Sequence, residues 1–355
     1  MEAGGRRSRH RGTHRDAPLA PPEQADGQGQ PARAHPAAPA GHPLTDPSTP
    51  KTPREELGDT LAVTGYKLGS LAARVTPGPL ASAAATAIGA TLATSMRSRR
   101  AIIERHLRRV NPSLHGFALR RAVQESFDSY SRYYVESFRL PSLSARAVAA
   151  GFSTVGYREH ILPALANGTG VILALPHLGG WEWAGRWMTD RGHRLTVVVE
   201  PLDPPELFEW FAELRRDLGM SVVPLGPGAA AAVLRALKDN EVVCLLCDRD
   251  LQGGGVDVEF FGERTTLPAG PATLSLRTGA PILPTAVYFT RKYNGHHAIV
   301  RPPVPAQRRG GLRDDVARVT QYLARELEVL IGRAPEQWHM FQPNWPSDPG
   351  YAESR

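Results

Sequence analysis

Between residues 170 and 289 the chain alternates apolar runs with stretches of helical spacing, and this constrains the fold more than any other feature. The runs fall at 170–175, 195–199, 221–225, 241–247 and 281–289. They are apolar nearly throughout rather than at every second residue, as strands are when both faces of their sheet are covered. Residues 180–190, 204–218, 229–239 and 269–278 read as helices between them. Such alternation predicts an α/β fold with a central, mostly parallel sheet flanked by helices. A late strand is expected at 296–301 and a last helix at 312–332.

Ahead of this region, 56–140 reads as a helical part. One helix, 57–75, ends before Pro77; another stretch, 97–110, is basic; and 117–138 is the clearest amphipathic helix. Val123, Phe127, Tyr130, Tyr134 and Phe138 recur there at three- and four-residue steps, a stripe expected in the core. Segment 77–96 is uncharged but rich in Ala, Thr, Ser and Gly, too polar to cross a bilayer, and is expected to be a packed or interfacial helix. The helical part and an α/β core at 165–335 are expected to share one domain, 56–347. Residues 1–55 carry no aromatic residue and few large aliphatic ones, so they read as a disordered Arg-, Pro- and Ala-rich tail. They lack the apolar stretch of a secretory signal. Residues 348–355 read as a short second tail.

The net charge of +7 and a pI near 9.7 suit an anionic partner without selecting one. Nucleic acid is not expected, because the charge outside the first tail is modest and no basic–aromatic pattern accompanies it. Cys244 and Cys247 sit in one apolar run, where alternation turns the thiols to opposite faces of the sheet. Core packing in a reducing compartment is the expectation.

Chemistry in open α/β sheets gathers outside the carboxyl ends of the strands. Three predicted strands end in charged residues there: "PHLGGWE" with His177 and Glu182, "VVVEP" with Glu200, and "CLLCDRD" with Asp248, Arg249 and Asp250. With a helix beginning near Gly180, Glu182 falls in its first turn, close to His177, and a carboxylate there makes the imidazole a general base. The competing reading is structural: a Glu in a first turn is favoured by the helix dipole alone. Gly179 and Gly180 are expected to permit close approach by a substrate. No G-x-S-x-G elbow, phosphate-binding loop or metal-ligand spacing occurs, and "LQGGGVD" reads as a flexible turn. A His base without nucleophile or metal suggests direct transfer to a substrate hydroxyl.

At "LPHLGGWEWAG", "VVVEPLDPPELFEWFAELRRDLGM", "CLLCDRDL", "VEFFGERTTLPAGPATLSLRTGAPILP" and "FQPNWP" the chain resembles the lipid A biosynthesis acyltransferase family. Within it, the actinobacterial phosphatidylinositol mannoside acyltransferases are the most similar branch. "SFDSYSRYYVESFRLP" resembles the helix that precedes the family's domain, and the likeness runs from about 57 to 347. The resemblance implies a glycerolipid acyltransferase-like fold and carries the family's His-x4-acid signature onto His177 and Glu182. Glu stands where many members have Asp. The acidic residue of the family's "ERD" falls on Asp248, again with a change of length. Glu200 and Arg215 fall where the family implies a supporting buried ion pair, with Arg249 and Asp250 beside the site. The implied reaction moves a fatty acyl chain of palmitoyl length from acyl-CoA to a mannose hydroxyl of a phosphoinositide glycolipid. His177 is the base and Glu182 or Asp248 its partner. The implied setting is peripheral, on the inner leaflet of the plasma membrane at its cytoplasmic face. No cofactor, metal or obligate protein partner is expected.

Amides of 179–181, including that of Trp181, are expected to hold the oxyanion. Trp181, Trp183, Phe208, Trp210 and Phe211 are expected to line an acyl groove, if they are not interfacial anchors or ordinary core. Arg97, Arg99, Arg100, Arg105, Arg108 and Arg109 read either as a solvated face or as contacts for anionic headgroups or CoA phosphates. A lysophospholipid or other glycolipid O-acyltransferase, and a catalytically silent lipid-binding homologue, are the alternative readings.

Overall fold

The computed structural model describes residues 53–352, with side chains from residue 58 onward. The expected tail at 1–55 lies outside the described residues except for its last three, which begin the first helix. Four helices open the described chain: α1 (Pro53–Val75), α2 (Gly78–Ser95), α3 (Arg97–Val110) and α4 (Gly116–Arg139). Helix α2 buries Ala81, Ala85, Gly89 and Ala93 at four-residue steps. This stripe of small residues lets it lie close to α4: a Cβ on Gly89 would come 2.8 Å from the Cα of Asp128. No helix among the described residues is long and apolar enough to cross a membrane.

Short α5 (Ala145–Ala150) leads into β1 (Phe152–Val155), and α6 (Leu162–Ala166) into β2 (Val171–Leu175). The alternation continues with α7 (Trp181–Thr189), β3 (Leu195–Val199), α8 (Pro205–Asp217), β4 (Ser221–Pro224), α9 (Ala229–Lys238) and β5 (Val242–Leu246). A hairpin, β6 (Val256–Phe260) and β7 (Glu263–Leu267), precedes α10 (Gly270–Thr278), β8 (Ile282–Phe289), β9 (His296–Val300) and α11 (Leu312–Ile331).

The main sheet has seven strands in the order β1-β9-β8-β2-β5-β3-β4. Every neighbouring pair is parallel except β8 with β9. Beyond the elements expected, the chain forms β1, which is only half buried, and the β6–β7 hairpin, whose strands alternate in burial. Phe261 and Gly262, with φ of 49° and 75°, supply the left-handed pair that a two-residue hairpin turn needs.

One face of the sheet packs on α9, α10 and α11 through residues such as Leu237, Ala272, Leu323 and Leu327. The other packs on α7 and α8 through Trp183, Trp187, Leu207 and Phe211, joined by Phe138 at the end of α4 and Tyr66 of α1. The helical part therefore shares the core of the α/β part. Cys244 contacts the second cluster and Cys247 belongs to the first, so the two thiols do face opposite sides.

The segment after α11 crosses back over the helical part. Phe341 enters the α2–α4 core, and Asp348 is 4% exposed rather than part of a tail. Asp348 accepts hydrogen bonds from His106 Nε2 (3.0 Å) and from the backbone amides of Asn344 and Trp345. Arg105 and Arg109 reach the same carboxylate at 3.3 Å, and the Arg109 guanidinium lies 4.0 Å above the Trp345 ring. Arg99 donates to the Phe341 carbonyl at 2.9 Å. Much of the arginine run on α3 is thus committed to holding the C-terminal segment, while Arg97 and Arg108 are exposed.

Candidate active site

The register of two adjacent parallel strands brings the central pair together. Leu175 of β2 lies opposite Leu246 of β5. Two residues beyond each come His177 and Asp248, level with one another across an interstrand gap of about 4.8 Å. His177 Nδ1 meets Asp248 Oδ1 at 2.7 Å. The other carboxylate oxygen accepts the backbone N–H of His177 (2.9 Å) and the indole N–H of Trp338 (2.6 Å). Asn344 donates to the Asp248 backbone carbonyl at 2.9 Å. Asp248 is fully buried, whereas the His177 side chain is 34% exposed and faces a cavity.

Burial alone would raise the Asp248 pKa, but His177 and the Trp338 N–H outweigh it and hold the carboxyl below its usual range. Burial likewise disfavours an imidazolium, yet the charge and hydrogen bond of Asp248 raise the His177 pKa above its ordinary value. A carboxylate on Nδ1 keeps the proton there and leaves the Nε2 lone pair as the basic site.

The cavity measures about 440 Å³. Val198, Val199, Leu202, Leu225, Leu245 and Leu246 give it an apolar wall, and Tyr130, Tyr133, Arg215, Arg249 and His339 add polar groups. Of the aromatics expected to line a groove, Trp181 and Phe211 do so. Trp183 does not: it is 2% exposed and stacks on His296 with ring centroids 4.3 Å apart. Phe208 and Trp210 do not reach this cavity either, and Trp210 packs against Phe138 and Phe211. The stripe on α4, expected as core alone, contributes Tyr130 and Tyr134 to the wall as well.

Glu182 does lie in the first turn of α7, but its hydrogen-bond partners are on α4 and α8 and do not include His177. Its Oε1 accepts from the Tyr133 hydroxyl and from Arg215 Nη2 at 3.0 Å. The carboxyl is 2% exposed. Burial raises its pKa, and Arg215 and Tyr133 only partly offset that. The buried ion pair at the site is therefore Glu182–Arg215, in place of the expected Glu200–Arg215; Glu200 stands half-buried on the cavity wall. The five-residue offset explains the difference, since a helix starting at Trp181 rotates the Glu182 side chain toward α4 and α8.

The glycines serve the protein's own packing. Gly179 has φ of 61°, and a Cβ on it would fall 1.9 Å from the Val287 carbonyl oxygen. A Cβ on Gly180 would fall 2.6 Å from His296 Nε2. Their amides are also committed, Gly179 to the Gln337 carbonyl (3.0 Å) and Gly180 to that of Val287 (3.2 Å), which leaves only the Trp181 amide of the three expected at the oxyanion. Asp250 is a loop staple. Its carboxylate accepts the amides of Gln252, Gly253 and Gly255 and the Thr266 hydroxyl, which pins the glycine-rich turn that reads as flexible in sequence. Arg249 lines the cavity.

Three contributors escape sequence reasoning. Trp338 and Asn344 fix Asp248, and Tyr133 fixes Glu182. "FQPNWP" signals the last segment as a motif but gives no hint of which strand end it covers.

The model of the bacterial lipid A biosynthesis acyltransferases matches residues 62–347, most of the chain. The chain belongs to this family of acyltransferases. A phosphatidylinositol mannoside acyltransferase from Mycobacterium tuberculosis is 41% identical over 234 residues, 65% of this chain and 71% of its own length. A protein of the same name from Mycolicibacterium smegmatis is 37% identical over 229 residues, 64% of this chain and 73% of its own. A lipid A biosynthesis acyltransferase from Haemophilus influenzae is 25% identical over 184 residues, 51% of this chain and 55% of its own. In this acyltransferase, the two acids of the strand-exit signatures have separate neighbourhoods: Asp248 holds the histidine and Glu182 holds the cavity wall.

Proposed function

We propose that this acyltransferase moves a fatty acyl chain from acyl-CoA to a mannose hydroxyl of a phosphatidylinositol mannoside, with His177 as general base. The observation that carries the reading is the His177–Asp248 pair opening into a largely apolar cavity; the names of the mycobacterial relatives supply the acceptor. Nε2 of His177 takes the proton of the acceptor hydroxyl as its oxygen attacks the thioester carbonyl. Asp248 steadies the imidazolium. Collapse of the tetrahedral intermediate breaks the C–S bond, and the imidazolium returns the proton to the leaving thiolate. Burial pushes the Cys244 thiol up to about 12 and the Cys247 thiol well above its usual value, so neither suits an acyl-enzyme.

In this reading the reaction takes place at a membrane surface, the cytoplasmic face of the plasma membrane, with the protein peripheral. Leu61, Leu68, Leu71 and Val75 on α1 and Leu80 and Ile88 on α2 are all exposed. On α1 they recur at three-, four- and seven-residue steps, with exposed Lys67 and Arg74 beside them. An apolar stripe edged by cations suits the interface of an anionic bilayer. On the inner side of α1, Tyr66 packs against Phe211 (5.7 Å) and Tyr134 (6.1 Å) of the cavity wall, so one helix touches both the outer surface and the site.

The test is to incubate the protein and its His177→Ala variant with palmitoyl-CoA and phosphatidylinositol mannoside in anionic vesicles, following free CoA and acylated lipid together. Acylated mannoside from the wild type alone supports the reading. CoA release with a lysophospholipid but not with the mannoside would replace the acceptor, and no turnover with either would refute the reaction.

A further inference from the structure

The amides of Gly179 and Gly180 are committed elsewhere, so they do not meet the charge that develops on the thioester oxygen. We propose that His339 donates a hydrogen bond, from Nδ1–H, to the thioester carbonyl and to the oxyanion formed from it. The inference rests on the acyl-transfer reading of the His177 site.

Position is the first support. Leu178 and Trp338 form an antiparallel bridge, which sets His339 directly opposite His177. The His339 amide donates to the His177 carbonyl at 2.7 Å. Side chains opposite one another across such a pair project to the same side, with Cβ atoms about 5 Å apart. Both rings line the cavity. A donor next to the base, on the same wall, is where an oxyanion needs it.

The tautomer is the second support. His339 Nε2 lies 2.9 Å from the Ser129 hydroxyl of α4. Ser129 is 8% exposed, and its hydroxyl has no other hydrogen-bond partner among the described residues. Pairing that hydroxyl proton requires Ser129 to donate to Nε2, and in that arrangement the ring carries its own hydrogen on Nδ1. None of the hydrogen bonds among the described residues reaches Nδ1; the ring is held by the edges and faces of Tyr130 and Tyr133 at 5.6 Å.

Neutrality is the third. Burial, reinforced by the neighbouring His177, pushes His339 down to about 3. The ring stays a neutral donor while His177, raised by Asp248, takes up and releases the proton. In the balanced step the acceptor C–O bond forms and the C–S bond breaks. The acceptor proton passes to His177 Nε2 and then to the thiolate, and His339 keeps its own hydrogen throughout.

The test uses the full chain with palmitoyl-CoA and phosphatidylinositol mannoside. H339F keeps a ring without a donor, and H339N keeps an N–H near the Nδ1 position. S129A removes the lock on the tautomer without touching the cavity. H339F is expected to lose about 10²–10³-fold in kcat with KM nearly unchanged, the range for one oxyanion donor. H339N should recover a large part of that loss, and S129A should lose less than H339F. Nitrogen-15 spectra of the wild type should show His339 protonated on Nδ1 and silent through the neutral pH range. Folding of each variant is checked by near-UV circular dichroism. H339F retaining wild-type kcat, H339N as impaired as H339F, or protonation on Nε2 would each overturn the role of His339. If the wild type itself releases no CoA, the acyl-transfer reading fails first, and the proposal with it.

Discussion

Replacing Asp248 by Asn tests the proposed base most sharply, because three donors converge on this carboxylate: His177 Nδ1–H, the His177 amide and the Trp338 indole. Asn offers one acceptor oxygen and one amino group. If the amino group faces the His177 amide and Trp338, two buried donors lose their acceptor, at about 1–3 kcal/mol each. If it faces Nδ1 instead, both of those bonds survive and Nδ1 becomes the acceptor. The second orientation wins, and it moves the imidazole proton to Nε2, where the base has to be empty. The expected loss in kcat is about 10⁴-fold, the effect of imposing the wrong tautomer on a His base. That corresponds to about 5.5 kcal/mol on the barrier, while folding stability changes by only about 1–3 kcal/mol. The assay is CoA release at saturating palmitoyl-CoA and mannoside, with thermal unfolding measured in parallel. A well-folded D248N protein retaining kcat within about tenfold of wild type would refute the assignment of Nε2 as the base.

The raised His177 pKa means that kcat/KM should climb with pH and level off only above the ordinary imidazole value, and a profile already flat below it would contradict the raised base. E182A leaves Arg215 and Tyr133 without their buried acceptor and should cost about 3 kcal/mol in thermal or denaturant unfolding. Gly89→Ala gains up to about 1 kcal/mol of helix propensity, but its Cβ would lie 2.4 Å from Asp128 Oδ1 and 2.8 Å from Asp128 Cα. Net destabilisation of about 1–3 kcal/mol is therefore expected in the same assay. Asp348 is held below the usual carboxylate range because His106, the Asn344 amide and Arg109 outweigh its burial. Its stabilisation is present above the unfolded pKa and is lost as pH falls through the lower folded value. The gap in unfolding midpoint between wild type and D348N should accordingly close on acidification.

Most of the sheet was legible because its central strands, β2 and β8 above all, are buried on both faces and stand out as unbroken apolar runs, and β3, β4 and β5 read as similar runs, with His177 and Asp248 at the ends of two of them. Their pairing depends on β2 and β5 being neighbours, although β3, β4 and three helices intervene in sequence; strand order is a tertiary fact that local pattern does not carry. The partner of Glu182 was misread for a related reason. Spacing placed it in the first turn of α7, but which way a first-turn side chain leans depends on Tyr133 and Arg215, far away in sequence. The β6–β7 hairpin and β1 were missed because short, half-exposed strands lack the unbroken apolar signature. Trp338, His339 and Asn344 lie in a segment with little regular structure, where no periodicity indicates what a side chain will meet.

The crossing of residues 335–348 over the β2 and β5 ends also has a consequence in time. On a growing chain, His177 and Asp248 leave the ribosome well before the residues that orient them. Until Trp338 and Asn344 arrive, the Asp248 carboxylate lacks its indole donor and its carbonyl lacks its amide, and His339 is not yet beside His177. A nascent or C-terminally clipped chain thus holds the His177–Asp248 pair without two of its supports, beside an unfinished cavity. The His177–Asp248 pair gains its full set of supports only when this later segment docks, so completion of the fold and completion of the site are one event.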